Sequence, residues 1–479
     1  MPLTLLSDRD TKEILHGLTF EQLERFQDSL RQALHEFSTG TQDEGACSIH
    51  QPMRTAMQGK DGSTTLFMPS ASSSSIGVKV VTLASPTSPT STASDQPLDK
   101  PSPQGSLTIM SSTGRPFGFL NAEEVTAFRT ALASSLLISR RTHVKTVTVY
   151  GAGRQAFWHI RLCLLIHGST IKNVHIINRA FSERVRALFK GFLGMDPEIK
   201  EREGWSNTKF GILTPTYGEY ARLEALQLRN ADILICTTPS TKPLFDEKIL
   251  TSPEGRRKGR LIIAIGSYKP HMIELPSEIL MQAVKTHGSG HFHRNAYEGG
   301  VIVVDALDAA LKEAGELIEA GISARQLVEL GELVMLEKTA DDTYGYSSTD
   351  SSDMVSMRSS FEGLEVGSAA GRSLSSVFGG DNGSERKAAS RNNSKSPSGR
   401  RSDSRRSSGI FHKRTSSRGA FETERKSSQS SADDAMCRWL SNGNVIYKSV
   451  GMGLMDLVVG SDLVMIARER GIGVTIQDF

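Results

Sequence analysis

Thiols are scarce in this chain. Four cysteines in 479 residues, Cys47, Cys163, Cys236 and Cys437, stand far apart with no CxxC pair. That scatter excludes a disulfide-framed secreted scaffold and a thiolate metal site, and it points to a reducing compartment. No segment reaches the roughly 18 consecutive apolar residues that a membrane-spanning helix needs. The start, MPLTLLSDRD, has no basic stretch leading into an apolar run. Charge of one sign is also missing: 56 Lys and Arg against 53 Asp and Glu leave a formal +3. No bulk field therefore argues for nucleic acid, and a soluble cytoplasmic protein without nucleic-acid or membrane partners is expected. Hydrophobic content, at 38%, is low for a globular chain. The deficit is local, because residues 339–434 collapse into Ser, Arg, Lys, Gly and Asn. Such a tract cannot bury enough apolar surface to offset its ordering entropy, so a disordered insertion is expected. Its GRRSDSRRSSG and HKRTSSRG stretches are open to kinases.

What is present is ordered around alternating strand and helix signals. Over residues 145–305, TVTVYG, VHIIN, ADILICTT, RLIIAIG and VIVVD read as strands, with helical stretches between most of them. Such apolar runs suit a parallel sheet covered on both faces. Before it, Thr11 to Phe37 carries helical spacing, TLFMPS and IGVKVVTLA read as strands, and a Ser/Pro-rich loop follows at 84–104. SLTIMSSTGRPFGFLNAEEVTAFRT predicts a strand, a turn at Thr113-Gly114, a strand, and a helix from near Asn121. After the insertion, a short strand and a helix close the chain.

The chemistry begins at Gly151-Ala152-Gly153-Arg154-Gln155-Ala156, which follows an apolar strand and opens a helix. That is the setting of a dinucleotide-binding turn: Gly151 permits the tight turn, Gly153 lets backbone approach a diphosphate, and the helix N-terminus offers free N–H groups. One strand later a carboxylate usually grips the ribose hydroxyls. Here the strand ends in Asn178-Arg179. An Arg at that place pairs with an adenosine 2′-phosphate that a carboxylate would repel, so NADPH is expected as cofactor in preference to NADH or NAD. His287, His291 and His293 crowd one Gly/Ser-rich stretch without an evident carboxylate or thiol partner. They read as a loop, and no metal is expected.

The segments GVKVVT, TGRP, TAFRTA, VYGAGRQAFWH, ADILICTTPSTKPLF, IAIGSYKPHMIELP, VVDALDAALKEAGEL and YKSVGMGLMDLV, in this order, resemble the ornithine cyclodeaminase/mu-crystallin family. The resemblance implies an α/β fold: a Rossmann-type doubly wound domain plus a discontinuous α+β substrate and dimerisation domain built from both chain ends, as a homodimer. The corresponding boundaries are 1–140 for the first part of the substrate domain, 141–310 for the dinucleotide domain, 311–338 for a helical return, and 435–479 for the last part. It further implies that Arg54 and Lys79 hold a substrate carboxylate, with Lys79 facing the reacting carbon. Arg129 would reach the cofactor diphosphate, and Thr238 and Gly266 would lie beside the nicotinamide ribose. Ser449-Val450 would cover the nicotinamide, with Val450 on the substrate side. Cyclising members carry Asp where this chain has Tyr268, and Tyr is a poor base but a usable proton or hydrogen-bond donor. The expected activity is therefore NADPH-dependent reduction of a small, cyclic ketimine carboxylate to an L-amino acid such as proline or pipecolate. Two rivals stand beside it: an ornithine cyclodeaminase that uses NAD catalytically, and a non-enzymatic NADPH-binding protein.

Overall fold

The computed structural model describes residues 2–40, 49–83, 104–285, 299–336, 437 and 439–479. The 339–434 insertion, the 84–104 stretch except Gln104, Cys47 and the three clustered histidines lie outside them. Among the described residues no helix is long and apolar enough to cross a membrane.

Numbered along the chain, the first strands are β1 (Leu3–Leu6), β2 (Thr55–Gln58), β3 (Thr64–Ala71), β4 (Ser75–Leu83), β5 (Gln104–Ser111) and β6 (Pro116–Asn121). They form a seven-stranded sheet whose outermost member, β15 (Val474–Ile476), comes from the other end of the chain and pairs antiparallel with β1. Alternate residues of β4 are buried, because one face is covered by the long helix Gly453–Arg470. Gly460 allows that helix to lie close: a Cβ there would stand 2.5 Å from Leu107. Asn121 caps the helix Ala122–Ile138 by accepting from the Glu123 amide. This helix is buried on nearly every side and joins the two halves of the molecule into a continuous core.

The second sheet has the order β13-β12-β14-β11-β10-β7-β8-β9 and is parallel throughout. Its strands are β7 (Thr146–Tyr150), β8 (Asn173–Ile177), β9 (Lys209–Leu213), β10 (Ile233–Cys236), β11 (Leu261–Ala264), β12 (Val301–Val304), β13 (Leu327–Glu329) and β14 (Val445–Lys448). The sequences TVTVY, ILIC, LIIA, VIVV and VIYK are buried at every position, as strands covered on both faces must be. From β7 the chain first winds outward through β8 and β9, then returns to build on the other side of β7. The crevice beyond the carboxyl ends of β7 and β10 is thus the switch point where ligands of doubly wound sheets bind.

Two assignments of the sequence reading change. Residues 311–338 are not purely a helical return, since β13 pairs with β12. Residues 435–479 do not all join the first sheet: β14 enters the parallel sheet between β12 and β11. A strand of β-branched and aromatic residues buried on both faces is more stable there than at a half-exposed edge.

Candidate active site

Most residues assigned to the cofactor from sequence lie in a row along the carboxyl ends of neighbouring parallel strands: Asn178 after β8, Gly151 after β7, Thr238 after β10, Gly266 after β11 and Ser449 after β14. Gly151 has φ +108°, and a Cβ there would meet Thr237 Oγ1 at 2.7 Å, so only glycine fits. Above Gly153, which opens the helix Arg154–His167, nothing lies within 4 Å of where a Cβ would be, and no side chain caps that helix. An open approach over uncapped N–H groups fits a diphosphate. The side chains of Arg154 and Gln155 turn elsewhere. Arg154 lies 2.5 Å from Glu123 and near Asp8 and Glu124, and Gln155 donates to the Thr126 carbonyl. Their contribution to a diphosphate would be backbone N–H at the start of the helix. At the end of β8, Asn178 closes the turn by donating from its side chain to the Ala180 carbonyl at 2.7 Å. Arg179 beside it is exposed.

The loops after β10 and β11 are held by a residue that the sequence reading missed. Glu274, fully buried, accepts from the amides of Thr238 at 2.7 Å, Gly266 at 2.6 Å and Ser267 at 3.2 Å. Burial pushes its carboxyl up to about 7, against the pull of Lys448 and of the amides. Asp305, after β12, does the same for the last loop. It accepts from the Ser449 hydroxyl at 2.9 Å and from the amides of Val450 at 3.0 Å and Gly451 at 2.7 Å. The Ser449 hydroxyl is therefore used internally, and Val450 is held nearly buried by its backbone.

Facing these loops is a buried charge cluster. Lys79, on β4 and 2% exposed, donates to Asp456 at 2.9 Å. Arg129 Nε lies 3.3 Å from the same Asp456 oxygen, and its guanidinium also meets Met455 Sδ at 3.6 Å. A Cβ on Gly451, where φ is +88°, would come within 2.8 Å of that guanidinium. Arg129 thus has its Nε edge on the Asp456 carboxylate, and the diphosphate role implied for it is a proposal. The second oxygen of Asp456 has no hydrogen-bond partner among the described residues. Burial lowers the Lys79 ammonium from its ordinary range to about 8, Asp456 opposes the shift, and Arg129 and Arg54 add to it.

Arg54 completes the cluster across the cleft. Its guanidinium pairs with Glu313 at 2.5 Å and donates to the Tyr268 carbonyl at 3.3 Å. Burial raises the Tyr268 phenol, partly offset by Arg54, and it raises the Glu313 carboxyl against the same Arg54. The structure therefore brings Arg54, Lys79, Arg129 and Tyr268 to one cleft and adds Asp456, Glu313, Asp305 and Glu274. A lone carboxylate in an apolar run, as in LMDLVV and MIELP, was the available signal, because a charge in such a run is buried only where it has partners. Cys163 and Cys236 are buried packing residues. Burial pushes the Cys163 thiol up to about 12. Among the described residues no group of three or more His, Cys, Asp or Glu could hold a metal ion.

No family model matches the chain. Among curated proteins, it is 26% identical over 303 residues to a Delta(1)-pyrroline-2-carboxylate reductase of Bacillus cereus, a match covering 61% of this chain and 77% of that protein. It is 28% identical over 323 residues to the ketimine reductase mu-crystallin of Macropus fuliginosus, covering 65% and 82%. Among solved structures, the Thermococcus litoralis Delta(1)-pyrroline-2-carboxylate reductase in complex with NADH and L-proline superposes with a TM-score of 0.57 at 16% identity, covering 98% of this chain and 99% of that one.

Proposed function

Since the chain belongs to the ornithine cyclodeaminase/mu-crystallin family of oxidoreductases, we propose that it reduces a small cyclic ketimine carboxylate to an L-amino acid, such as proline or pipecolate, at the expense of NADPH. One observation carries this reading. Lys79 and Arg129 share the single carboxylate of Asp456 and Arg54 pairs with Glu313, while Asp305 is turned to the Ser449 hydroxyl and the Val450 and Gly451 amides, so three cations meet two contacting carboxylates in a buried cleft. Uncompensated buried charge is costly, and one substrate carboxylate would neutralise it. Bound along the strand ends, the reduced nicotinamide would supply a hydride to the C=N carbon. The protein supplies geometry and the proton. Arg54, Lys79 and Arg129 fix the carboxylate, which orients the C=N carbon. With its pKa near 8, Lys79 is mostly protonated at neutral pH and close enough to neutrality to give its proton to the imine nitrogen. Tyr268 stays protonated and serves as a hydrogen-bond donor. Ornithine cyclisation is less well served, because the Glu313 carboxylate is engaged by Arg54, which also donates to the Tyr268 carbonyl.

The direct test is a spectrophotometric screen of NADPH oxidation against five- and six-membered cyclic ketimine carboxylates, with ornithine plus NAD assayed in parallel for ammonia. Stoichiometric NADPH consumption with the imines is expected. Ammonia release without net cofactor turnover would replace this reading by the cyclising one. If Lys79 supplies the proton, kcat/KM should fall as pH rises through about 8, because the donor is then lost. Such a limb should keep its position when ring size changes; one that follows the ring belongs to the substrate. A homodimer is part of the same proposal, supported by outer strands β2 and β15, whose residues are all exposed.

The choice of NADPH rests on Arg179, exposed at the end of β8. Arg179→Asp removes a phosphate partner and adds a like charge beside the 2′-phosphate. A charge-assisted hydrogen bond contributes about 1.5–3 kcal/mol, or about ten- to a hundredfold in affinity. NADPH should weaken by that factor and NADH by much less. Equal losses in parallel titrations would mean that Arg179 does not read the phosphate.

A further inference from the structure

We propose, resting on the dinucleotide reading above, that Glu274 is a positioning residue for the reduced cofactor: its carboxylate locks the loops after β10 and β11 into one surface before the cofactor arrives. The two loops leave the carboxyl ends of adjacent strands. One Glu274 oxygen accepts from the Thr238 amide; the other accepts from Gly266 and Ser267. Both loops are packed at the limit of approach. A Cβ on Gly266 would stand 2.2 Å from the Thr238 carbonyl oxygen, and one on Gly151 would stand 3.2 Å from Thr238 Cγ2. Fixing Thr238 therefore fixes the nicotinamide side and the diphosphate turn together.

The carboxylate is itself anchored from behind. The Ile273 amide donates to the Ser240 carbonyl and the Glu274 carbonyl accepts from Leu244, so the backbone of residues 273–274 runs along the loop it clamps. The Ser267 hydroxyl lies within hydrogen-bond distance of both the Met272 carbonyl and Glu316 and gives its one proton to one of them, and its carbonyl accepts from Lys448, whose ammonium lies 3.1 Å from Glu316. Every polar group of Ser267, the residue between Gly266 and Tyr268, is thus fixed. Two carboxylate oxygens satisfy three amide donors here. An amide cannot, because its NH₂ group would face one of the two loops as donor against donor. Pre-setting a binding surface lowers the ordering cost that the ligand would otherwise meet.

The test compares the full chain with Glu274→Gln, which keeps volume, and Glu274→Asp, which keeps both oxygens on a shorter stem. NADPH is titrated by fluorescence, and thermal unfolding is recorded alongside. Amide hydrogen exchange at Thr238, Gly266 and Ser267 is followed in the wild type without dinucleotide. Expected results are a Kd for NADPH raised about tenfold or more in Glu274→Gln, a smaller rise in Glu274→Asp, a change in imine KM at saturating NADPH smaller than the loss of NADPH affinity, and wild-type amides as protected as those of β10 and β11. An unchanged Kd in a folded Glu274→Gln overturns the proposal. Wild-type amides that exchange as open loop amides also overturn it, and that result stands even if the variants do not fold. A wild type that binds neither NADPH nor NADH overturns the dinucleotide reading instead, whatever the exchange shows.

Discussion

Arg54→Met is expected to lower kcat/KM for a cyclic ketimine carboxylate by about two orders of magnitude or more while leaving NADPH affinity unchanged. A planar guanidinium meeting a carboxylate gives orientation as well as affinity, and orientation is what hydride transfer to one carbon requires. The guanidinium is held by Glu313 and the Tyr268 carbonyl, so the substrate carboxylate must compete with or join an existing pair. Arg54→Lys, with one point charge, should recover only part of the loss. Glu313→Gln should act in the opposite sense on KM, since it frees Arg54 for the substrate. Steady-state imine reduction beside cofactor titration checks this. Unchanged turnover in Arg54→Met would remove Arg54 from the site and with it the main support for a carboxylated substrate.

The parts of this molecule legible from sequence are those whose physics is local. The glycine turn declares itself because Gly151 must take positive φ and Gly153 must stay bare, and both needs are written in adjacent residues. The strands β10, β11 and β12 show as unbroken apolar runs, and β7 as a β-branched one, because both their faces are covered. By contrast β9, KFGIL, hides behind Lys209 and Gly211 at the edge of the sheet. β14 is misplaced because four residues beyond a long polar insertion carry no information on which sheet they join. Most of the missed site residues act on groups distant in the chain, although Glu274 also holds Gly266 and Ser267, eight and seven positions away. Asp456 meets Lys79 across 377 positions and Asp305 meets Ser449 across 144. A carboxylate's partner at such range is set by the tertiary fold, and no local spacing encodes it. The same reason applies to the ion pairs of Arg129 with Asp456 and of Arg154 with Glu123, which join residues far apart in the chain.

Asp456→Asn should produce the largest loss of stability among the variants considered, about 3–5 kcal/mol, because breaking a buried ion pair from one side leaves its partner charged and dry. Here two cations, Lys79 at 2% and Arg129 at 5% exposure, lose one shared counter-charge. Lys79→Met should cost less, since Asp456 keeps Arg129 at 3.3 Å, although activity should be lost with the proton donor. The pH dependence gives the cause away. In the fold the Lys79 pKa is already lowered from 10.5 to about 8, with Asp456 working against that shift. Between the folded and unfolded values the unfolded chain holds more protons, so in that window the Lys79 contribution to stability rises with pH. Removing Asp456 takes away the group that holds the value up, so the window opens lower. The deficit of Asp456→Asn relative to wild type should therefore shrink between pH 7 and pH 9, as Lys79 sheds its proton and only Arg129 remains unpaired. Denaturant unfolding of both proteins at the two pH values measures it. A loss below about 1 kcal/mol, the worth of a solvated surface pair, or a deficit that does not change with pH, would mean that Lys79 and Asp456 are not coupled as a buried pair.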